Sequence, residues 1–321
     1  MAIGGKKILI TGGAGFIGST IAERLVEKND IVIYDILHRN ALVHSKILKH
    51  KNLTIIKGDV MDASKLKRAA QGAHVIIHMA SIAGVDAVMS MPVKTMEVAT
   101  IGTYNALKAA VGQSRLERFI DFSTSEVFGS YAFNVKESDT TTLGTVGEAR
   151  WTYAVSKLCT EHLTLNYYKQ FKLPALAIRP FNIYGPRQVG VGAVHRFIVN
   201  AIKNEEIIIH NDGSQIRSWC YIDDIVDGIL LCLEKKEAVG HTFNIGNPRS
   251  TLTIYNLALE IHRLSNSKSK IVFQKKEMQD VELRVPDIEK AKKILGYKPQ
   301  VDLEEGLVRT IDWYRNNLAH D

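Results

Sequence analysis

A short strand running directly into a glycine-rich turn constrains this chain more than any other feature. Lys7-Ile8-Leu9-Ile10-Thr11 is followed without a break by Gly12-Gly13-Ala14-Gly15-Phe16-Ile17-Gly18, then by a helical pattern with Ile17, Ile21 and Leu25 on one face. Gly12 lets the chain turn tightly, Gly15 lets backbone N–H groups approach a pyrophosphate, and Gly18 permits close helix–strand packing. The helix N-terminus adds partial positive charge where phosphates sit. Phe16 and Ile17, inside the same turn, join the glycines as candidate cofactor contacts. A glycine triplet alone also serves plain turns, but here the strand before it, the helix after it and an acid beyond the second strand agree.

That acid is Asp35, closing Ile31-Val32-Ile33-Tyr34-Asp35. A carboxylate there accepts hydrogen bonds from adenosine ribose hydroxyls and repels a 2′-phosphate, which favours NAD over NADP. The alternative is a capping aspartate at a strand-to-loop transition. Further on, Gly58-Asp59-Val60 follows the third strand. There Asp59 either contacts the adenine amino group or caps the helix containing Leu66, and both readings stay open.

Strand-like runs at Lys7–Thr11, Ile31–Tyr34, Leu53–Lys57, Val75–His78, Phe119–Phe122 and Ala175–Arg179 alternate with amphipathic stretches, the rhythm of a doubly wound parallel α/β sheet. After Pro180 the rhythm changes. Strand-like pieces at Glu206–Ile209, His241–Ile245 and Ile271–Phe273 mix with helices near Gly192–Lys203, Asp223–Lys235, Thr253–Leu264, Ile288–Leu295 and Leu303–Asn316. The expected division is a dinucleotide domain over 1–180 with a returning segment at about 218–246, and a smaller α+β substrate lobe from 181–217 and 247–321.

Composition narrows the function classes. The chain of 321 residues is 45% hydrophobic and 23% charged, as in ordinary globular proteins. No run approaches the roughly 20 apolar residues of a membrane helix, and no apolar stretch precedes Lys7, so neither a membrane span nor a signal peptide is expected. A cytoplasmic location is the default. Cys159, Cys220 and Cys232 are far apart, which predicts neither a disulfide framework nor a metal site. Lys plus Arg is 41 against 34 Asp plus Glu, a net charge of +7. The lysines are scattered, and clusters such as Lys275-Lys276 and Lys290 to Lys293 read as solvated faces. A phosphate-bearing small molecule therefore suits the charge better than nucleic acid.

Two further constellations carry chemistry. Tyr153 and Lys157 stand at i and i+4 on a predicted helix, so both project from one face. A lysine ammonium and an oxidised nicotinamide cation would favour the phenolate, which could then remove a hydroxyl proton as hydride leaves to the cofactor. The strand Phe119–Phe122 ends in Ser123-Thr124-Ser125-Glu126-Val127-Phe128-Gly129. Thr124, Ser125 and Glu126 thus stand at the carboxyl end of a central strand, where ligands bind in such sheets.

Taken in order, Gly12–Gly18, Asp35, Asp59, His78-Met79-Ala80-Ser81, Ser123–Gly129, Tyr153/Lys157, Arg179–Arg187 and Arg217–Asp224 resemble the extended short-chain dehydrogenase/reductases that modify nucleotide sugars. The resemblance spans nearly the whole chain. It implies a Rossmann-type fold, tightly held NAD, oxidation of a sugar at C4, chemistry on the 4-keto intermediate and return of the hydride. It implies Tyr153 as the base, Lys157 as its partner and ribose ligand, and Thr124 as the hydroxyl bridging Tyr153 to the sugar. Val60, Met79, Ala80 and Ser81 are implied as cofactor contacts, and Asn182, Arg187, Arg217 and Arg284 as ligands of the sugar diphosphate. Ala99 and Phe128 depart from the family pattern, which often has asparagine and tyrosine there.

Glu126 separates the subfamilies. Plain 4-epimerases often carry a small residue there, whereas Glu126 could remove the C5 proton for a 4,6-dehydration or accompany loss of a C5 carboxylate as carbon dioxide. Arg150-Trp151-Thr152-Tyr153 resembles the bacterial decarboxylase domain of aminoarabinose synthesis, which makes a UDP-glucuronate decarboxylase the leading expectation. Alternatives are an NDP-hexose 4,6-dehydratase, an NDP-sugar 4-epimerase, a simple NAD(P)H-dependent ketoreductase and a catalytically silent NAD-binding sensor. The resemblance also implies a homodimer pairing the helices near Val98–Val111 and Trp151–Tyr168.

Overall fold

The computed structural model describes residues 3–190, 192–275 and 281–317, so Lys276 of the expected lysine faces lies outside the described residues. Seven parallel strands form the central sheet, in the spatial order Thr242–Ile245, Ala175–Pro180, Arg118–Phe122, Val75–His78, Lys7–Thr11, Asp30–Asp35 and Leu53–Lys57. Val75–His78 and Arg118–Phe122 are buried along their whole length, as parallel strands covered by helices on both faces must be. The doubly wound parallel sheet expected from the sequence is the one observed. Its strand order reverses between Lys7–Thr11 and Val75–His78, and this switch point opens a crevice at the carboxyl ends of the strands.

The helices Pro92–Val111 and Thr152–Phe171 pack side by side on one face. On the other, Phe16–Leu25 packs against Ile222–Glu234, with Arg24 and Asp227 paired at 2.6 Å across them. After Ile222–Glu234 the chain returns to the sheet as Thr242–Ile245, paired with Ala175–Pro180.

The smaller part is built on a sheet in the order Thr251–Thr253, Ile216–Ser218, Leu283–Pro286 and Tyr131–Val135, beside the helices Ala193–Lys203 and Ile254–Leu264. These short strands were not among the sequence expectations. Arg217 and Arg284 interrupt their apolar pattern, and Tyr131 and Phe133 face solvent. The strand Tyr131–Val135 comes from within 1–180 yet pairs with Leu283–Pro286 in the smaller sheet.

Candidate active site

The glycine turn sits at the switch point, and its shape explains its composition. Gly12 has φ +70, and a Cβ there would lie 2.8 Å from Ala80 N. At Gly18 a Cβ would lie 2.6 Å from Gly13 Cα, so any side chain separates helix from turn. Gly15 differs: its Cβ would meet only Gly12 O, at 3.3 Å. Gly15 is the N-cap of Phe16–Leu25, which has neither a side-chain cap nor an acid in its first turn. The helix therefore begins with N–H groups free of a protein anion, behind half-buried Phe16 and Ile17.

Asp35 is fixed by this turn. Ala14 N donates to its Oδ2 at 3.0 Å and Leu37 N to its Oδ1 at 2.7 Å. Burial pushes the carboxyl upward against those two bonds. Asp59 does not cap the following helix: its Oδ1 accepts from Met61 N, whereas the Asp62 side chain accepts from Lys65 N at the start of Ala63–Ala69. Asn105 donates to Val60 O at 2.9 Å and holds the Asp59-Val60 segment in place.

A buried relay anchors Met79-Ala80-Ser81. Met79 N donates to Thr11 Oγ1 at 3.2 Å, the Thr11 hydroxyl meets His78 Nδ1 at 2.8 Å, and His78 Nε2 meets Thr103 Oγ1 at 3.0 Å. Burial, reinforced by the Lys157 charge, lowers His78 to about 3, so the ring stays neutral.

The reacting groups lie at the carboxyl end of Arg118–Phe122 and in the first turns of the helix Thr152–Phe171. Thr124 caps the turn Ser125–Phe128 by accepting from Glu126 N at 3.2 Å, and its hydroxyl hydrogen-bonds Tyr153. Burial, then the Glu126 carboxylate, push the Tyr153 phenol well above its ordinary value, and only the Thr124 bond pulls it down. Burial pushes Lys157 downward, opposed by Asp121 and Glu161. The protein's own groups thus keep the phenol protonated, and the cation of an oxidised nicotinamide is left to favour phenolate.

Ser81 Oγ, Ser123 Oγ and Lys157 Nζ are buried and make no hydrogen bond among the described residues. Unsatisfied buried donors are costly. The hydroxyls and carboxamide of a dinucleotide would satisfy them, and together with the uncapped helix and Asp35 the residues present fit NAD.

Glu126 is clamped. Arg150 Nη1 donates to its Oε2 at 2.8 Å, and Arg284 Nη1 lies 3.5 Å from its Oε1. Burial opposes ionisation, yet Arg284 and Arg150 outweigh it and hold the carboxyl below the usual carboxylate range. Arg150 also lies over the Trp151 ring, 5.1 Å from its centroid. The sequence marked Arg150 only as a subfamily signature; its contact with Glu126 is a finding of the fold.

The expected diphosphate ligands divide. Arg217 and Arg284 are in register on adjacent parallel strands, and Arg217 donates to Ile216 O and Val281 O. Asn182, at φ +30, donates to Ser218 O at 2.9 Å and ties its turn to the Arg217 strand. Arg187 is engaged by the protein itself. Its fork is occupied by Glu23 at 2.7 and 2.6 Å and by Thr20 at 3.2 Å, so it clamps the cofactor helix to the 181–187 segment. Phe128 packs against Phe181 beneath the Arg179 guanidinium.

A family model described as GDP-mannose 4,6 dehydratase matches residues 9–310. UDP-N-acetyl-alpha-D-glucosaminuronate decarboxylase of Bacillus cytotoxicus is 34% identical over 320 residues, covering 97% of this chain and 98% of the relative. UDP-glucuronic acid decarboxylase 3 of Arabidopsis thaliana is 34% identical over 309 residues, covering 94% and 86%. Among solved structures, UDP-glucuronic acid 4-epimerase from Bacillus cereus, in complex with UDP-glucuronic acid and NAD, is 30% identical with a TM-score of 0.88, covering 97% and 99%. dTDP-glucose 4,6-dehydratase from Bacillus anthracis, in complex with NAD, is 26% identical with a TM-score of 0.86, covering 98% of each chain.

Proposed function

The chain belongs to the GDP-mannose 4,6 dehydratase family of extended short-chain dehydrogenase/reductases, and from that membership we propose that it is an NAD-dependent decarboxylase of a UDP-linked hexuronate. The observation that carries the choice of reaction is the clamp on Glu126, where the guanidiniums of Arg150 and Arg284 face one carboxylate.

Dehydration requires a base at C5, and a useful base titrates near the working pH. Glu126, held below the usual carboxylate range, is a weak one. Decarboxylation requires no C5 base. It requires recognition of a second carboxylate, and guanidinium forks of the kind that Arg150 and Arg284 bring to Glu126 are suited to that task. A 4-epimerase acting on a neutral sugar has no use for the clamp.

The proposed roles follow. Gly12, Gly15, Phe16, Ile17 and Gly18 receive the pyrophosphate, Asp35 the adenosine ribose, and Asp59 and Val60 the adenine. Met79, Ala80, Ser81 and Lys157 line the nicotinamide half. Tyr153, aided by Thr124, takes the C4 hydroxyl proton. NAD supplies the acceptor for the C4 hydride. The resulting ketone makes the C5 carboxylate a β-keto acid: the bond between C5 and the carboxyl carbon breaks, carbon dioxide leaves, and the electron pair passes into the C4 carbonyl as an enolate. Tyr153 and Thr124 stabilise that oxygen, C5 takes a proton from solvent, and Tyr153 would return its proton to the C4 oxygen when that carbon is reduced again. Ser125 and Arg284 orient the departing carboxylate, with Asn182 and Arg217 toward the diphosphate.

The test is incubation of purified protein with UDP-glucuronate, UDP-N-acetylglucosaminuronate, UDP-glucose, GDP-mannose and dTDP-glucose in turn, followed by NMR. A UDP-pentose from a uronate is expected. A 4-keto-6-deoxy product from a hexose, or a uronate epimerised with its carboxyl retained, contradicts it.

The division into a cofactor part (1–180 with 218–246) and a substrate part (181–217 with 247–321) belongs to the same proposal, supported by the return of Thr242–Ile245 to the seven-stranded sheet. So does a homodimer through the helices Pro92–Val111 and Thr152–Phe171, supported by exposed Val93, Met96, Ile101, Tyr104 and Val155 on them. No described helix is long and apolar enough to cross a membrane. A cytoplasmic location is supported by three free cysteines.

A further inference from the structure

The strand Arg118–Phe122 is buried throughout, yet it carries a carboxylate at Asp121, which has no exposed surface. A charge at the centre of a sheet is costly without a partner. In register, Asp121 stands beside His78, and His78 beside Thr11, so a polar row crosses the sheet just below the crevice. Two helices cover this row: Pro92–Val111 supplies Thr103 to His78, and Thr152–Phe171 supplies Thr160 to Asp121, with Thr160 Oγ1 3.2 Å from Asp121 Oδ2. The other oxygen, Asp121 Oδ1, lies 4.0 Å from Lys157 Nζ.

We propose that Asp121 is the fixed counter-ion of Lys157, a positioning residue that keeps the ammonium charged in a buried site while leaving its hydrogens free for cofactor and phenol. The inference rests on reading Tyr153 and Lys157 as the reacting pair. At 4.0 Å the charge attraction persists, but Lys157 Nζ makes no hydrogen bond with the carboxylate. A contact pair would consume the donors that the ribose and Tyr153 need.

The other charged groups around Lys157 do not substitute for Asp121. Glu161, on the same helix, is held by Arg179 at 2.8 and 3.0 Å and by Thr242 at 2.9 Å, and its influence on Lys157 is smaller than that of Asp121. His78 is neutral, Tyr153 is a phenol, and Glu126 is clamped by Arg150 and Arg284. Burial pushes Lys157 and Asp121 alike toward their neutral forms, and for each of them the charge of the other is the largest opposing influence. The same carboxylate raises the Tyr153 phenol.

Two measurements on the full chain test this. In the pH–rate profile for the turned-over nucleotide sugar, Asp121→Asn is expected to move both limbs to lower pH by about one unit, because Tyr153 and Lys157 both lose the carboxylate that raises them. Limbs that stay in place, with only the amplitude lowered, overturn the proposal. In denaturant unfolding, Asp121→Asn leaves a buried ammonium uncompensated, so the double variant Asp121→Asn/Lys157→Met is expected to unfold at higher denaturant than the single one. Losses that simply add overturn it. Should Asp121→Asn fail to fold, folding of the double variant supports the counter-ion and failure of both overturns it. If no nucleotide sugar is turned over, the proposed reaction falls, while the unfolding comparison still decides the role of Asp121.

Discussion

Glu126 and Arg150 meet at 2.8 Å, Oε2 to Nη1, bridging the turn after the strand Arg118–Phe122 and the segment that leads into the helix carrying Tyr153. The bond sits beside the Thr124–Tyr153 pair and turns a general carboxylate position into a charged recognition site. Arg150→Met should therefore lower kcat/KM for UDP-glucuronate by about a hundredfold, roughly 2.7 kcal/mol, while leaving NAD content unchanged. Steady-state kinetics and the absorbance of extracted cofactor check both halves. Unchanged kcat/KM contradicts the recognition role.

Glu126→Gln tests the same clamp from the other side. It leaves Arg150 and Arg284 without a carboxylate between them. With the two guanidiniums no longer held in place to orient the departing carboxylate, first oxidation should survive while decarboxylation stalls, so reduced cofactor accumulates on mixing with UDP-glucuronate, seen by its absorbance. A variant that turns over at the parent rate removes Glu126 from the reaction.

Tyr153→Phe keeps the ring and removes the hydroxyl that meets Thr124. Turnover should fall by about 10³-fold or more, with no reduced cofactor formed and NAD still bound. Rapid-mixing absorbance separates this from the Glu126→Gln stall.

The glycines predict a split between folding and binding. Gly18→Ala places a methyl 2.6 Å from Gly13 Cα and should cost roughly 1–3 kcal/mol of stability. Gly15→Ala meets only Gly12 O at 3.3 Å, so the chain should fold normally. Its NAD affinity should nonetheless fall about tenfold or more, ~1.4 kcal/mol, because the methyl stands at the helix N-terminus. Thermal unfolding and isothermal titration with NAD distinguish the two.

His78 gives a pH dependence. Its pKa falls from 6.5 in the unfolded chain to about 3 in the fold, through burial and then Lys157. Between those values the unfolded chain binds a proton there and the folded chain does not, so stability drops as pH falls below 6.5 toward 3. His78→Gln should flatten the upper part of that fall, before carboxylates begin to titrate. Unfolding midpoints between pH 7 and pH 5 measure it; parallel curves contradict it.

Local signals were the legible ones. The Gly12–Gly18 turn, Asp35 and the Tyr153/Lys157 spacing each sit within one strand–turn–helix unit, so short-range patterns display them. The clamp and the counter-ion were not legible, because they join distant segments. Arg150 is 24 residues from Glu126, and the Gly129 carbonyl is 155 from Arg284. The ion pair of Arg187 was hidden for the same reason, its carboxylate partner Glu23 being 164 residues away. Asp121 did leave a trace: a carboxylate inside Arg118-Phe119-Ile120-Asp121-Phe122 breaks an apolar run that a doubly covered strand otherwise keeps.

The proposed reaction turns on loss of the C5 carboxyl group after oxidation at C4. UDP-glucuronate labelled with carbon-13 at that carboxyl, incubated with the NAD-loaded protein in deuterated water, reads this out. The label should leave the sugar as carbon dioxide and bicarbonate, and the UDP-pentose should carry one solvent deuterium at C5. A label retained in the sugar, whether the product is epimerised or unchanged, contradicts it.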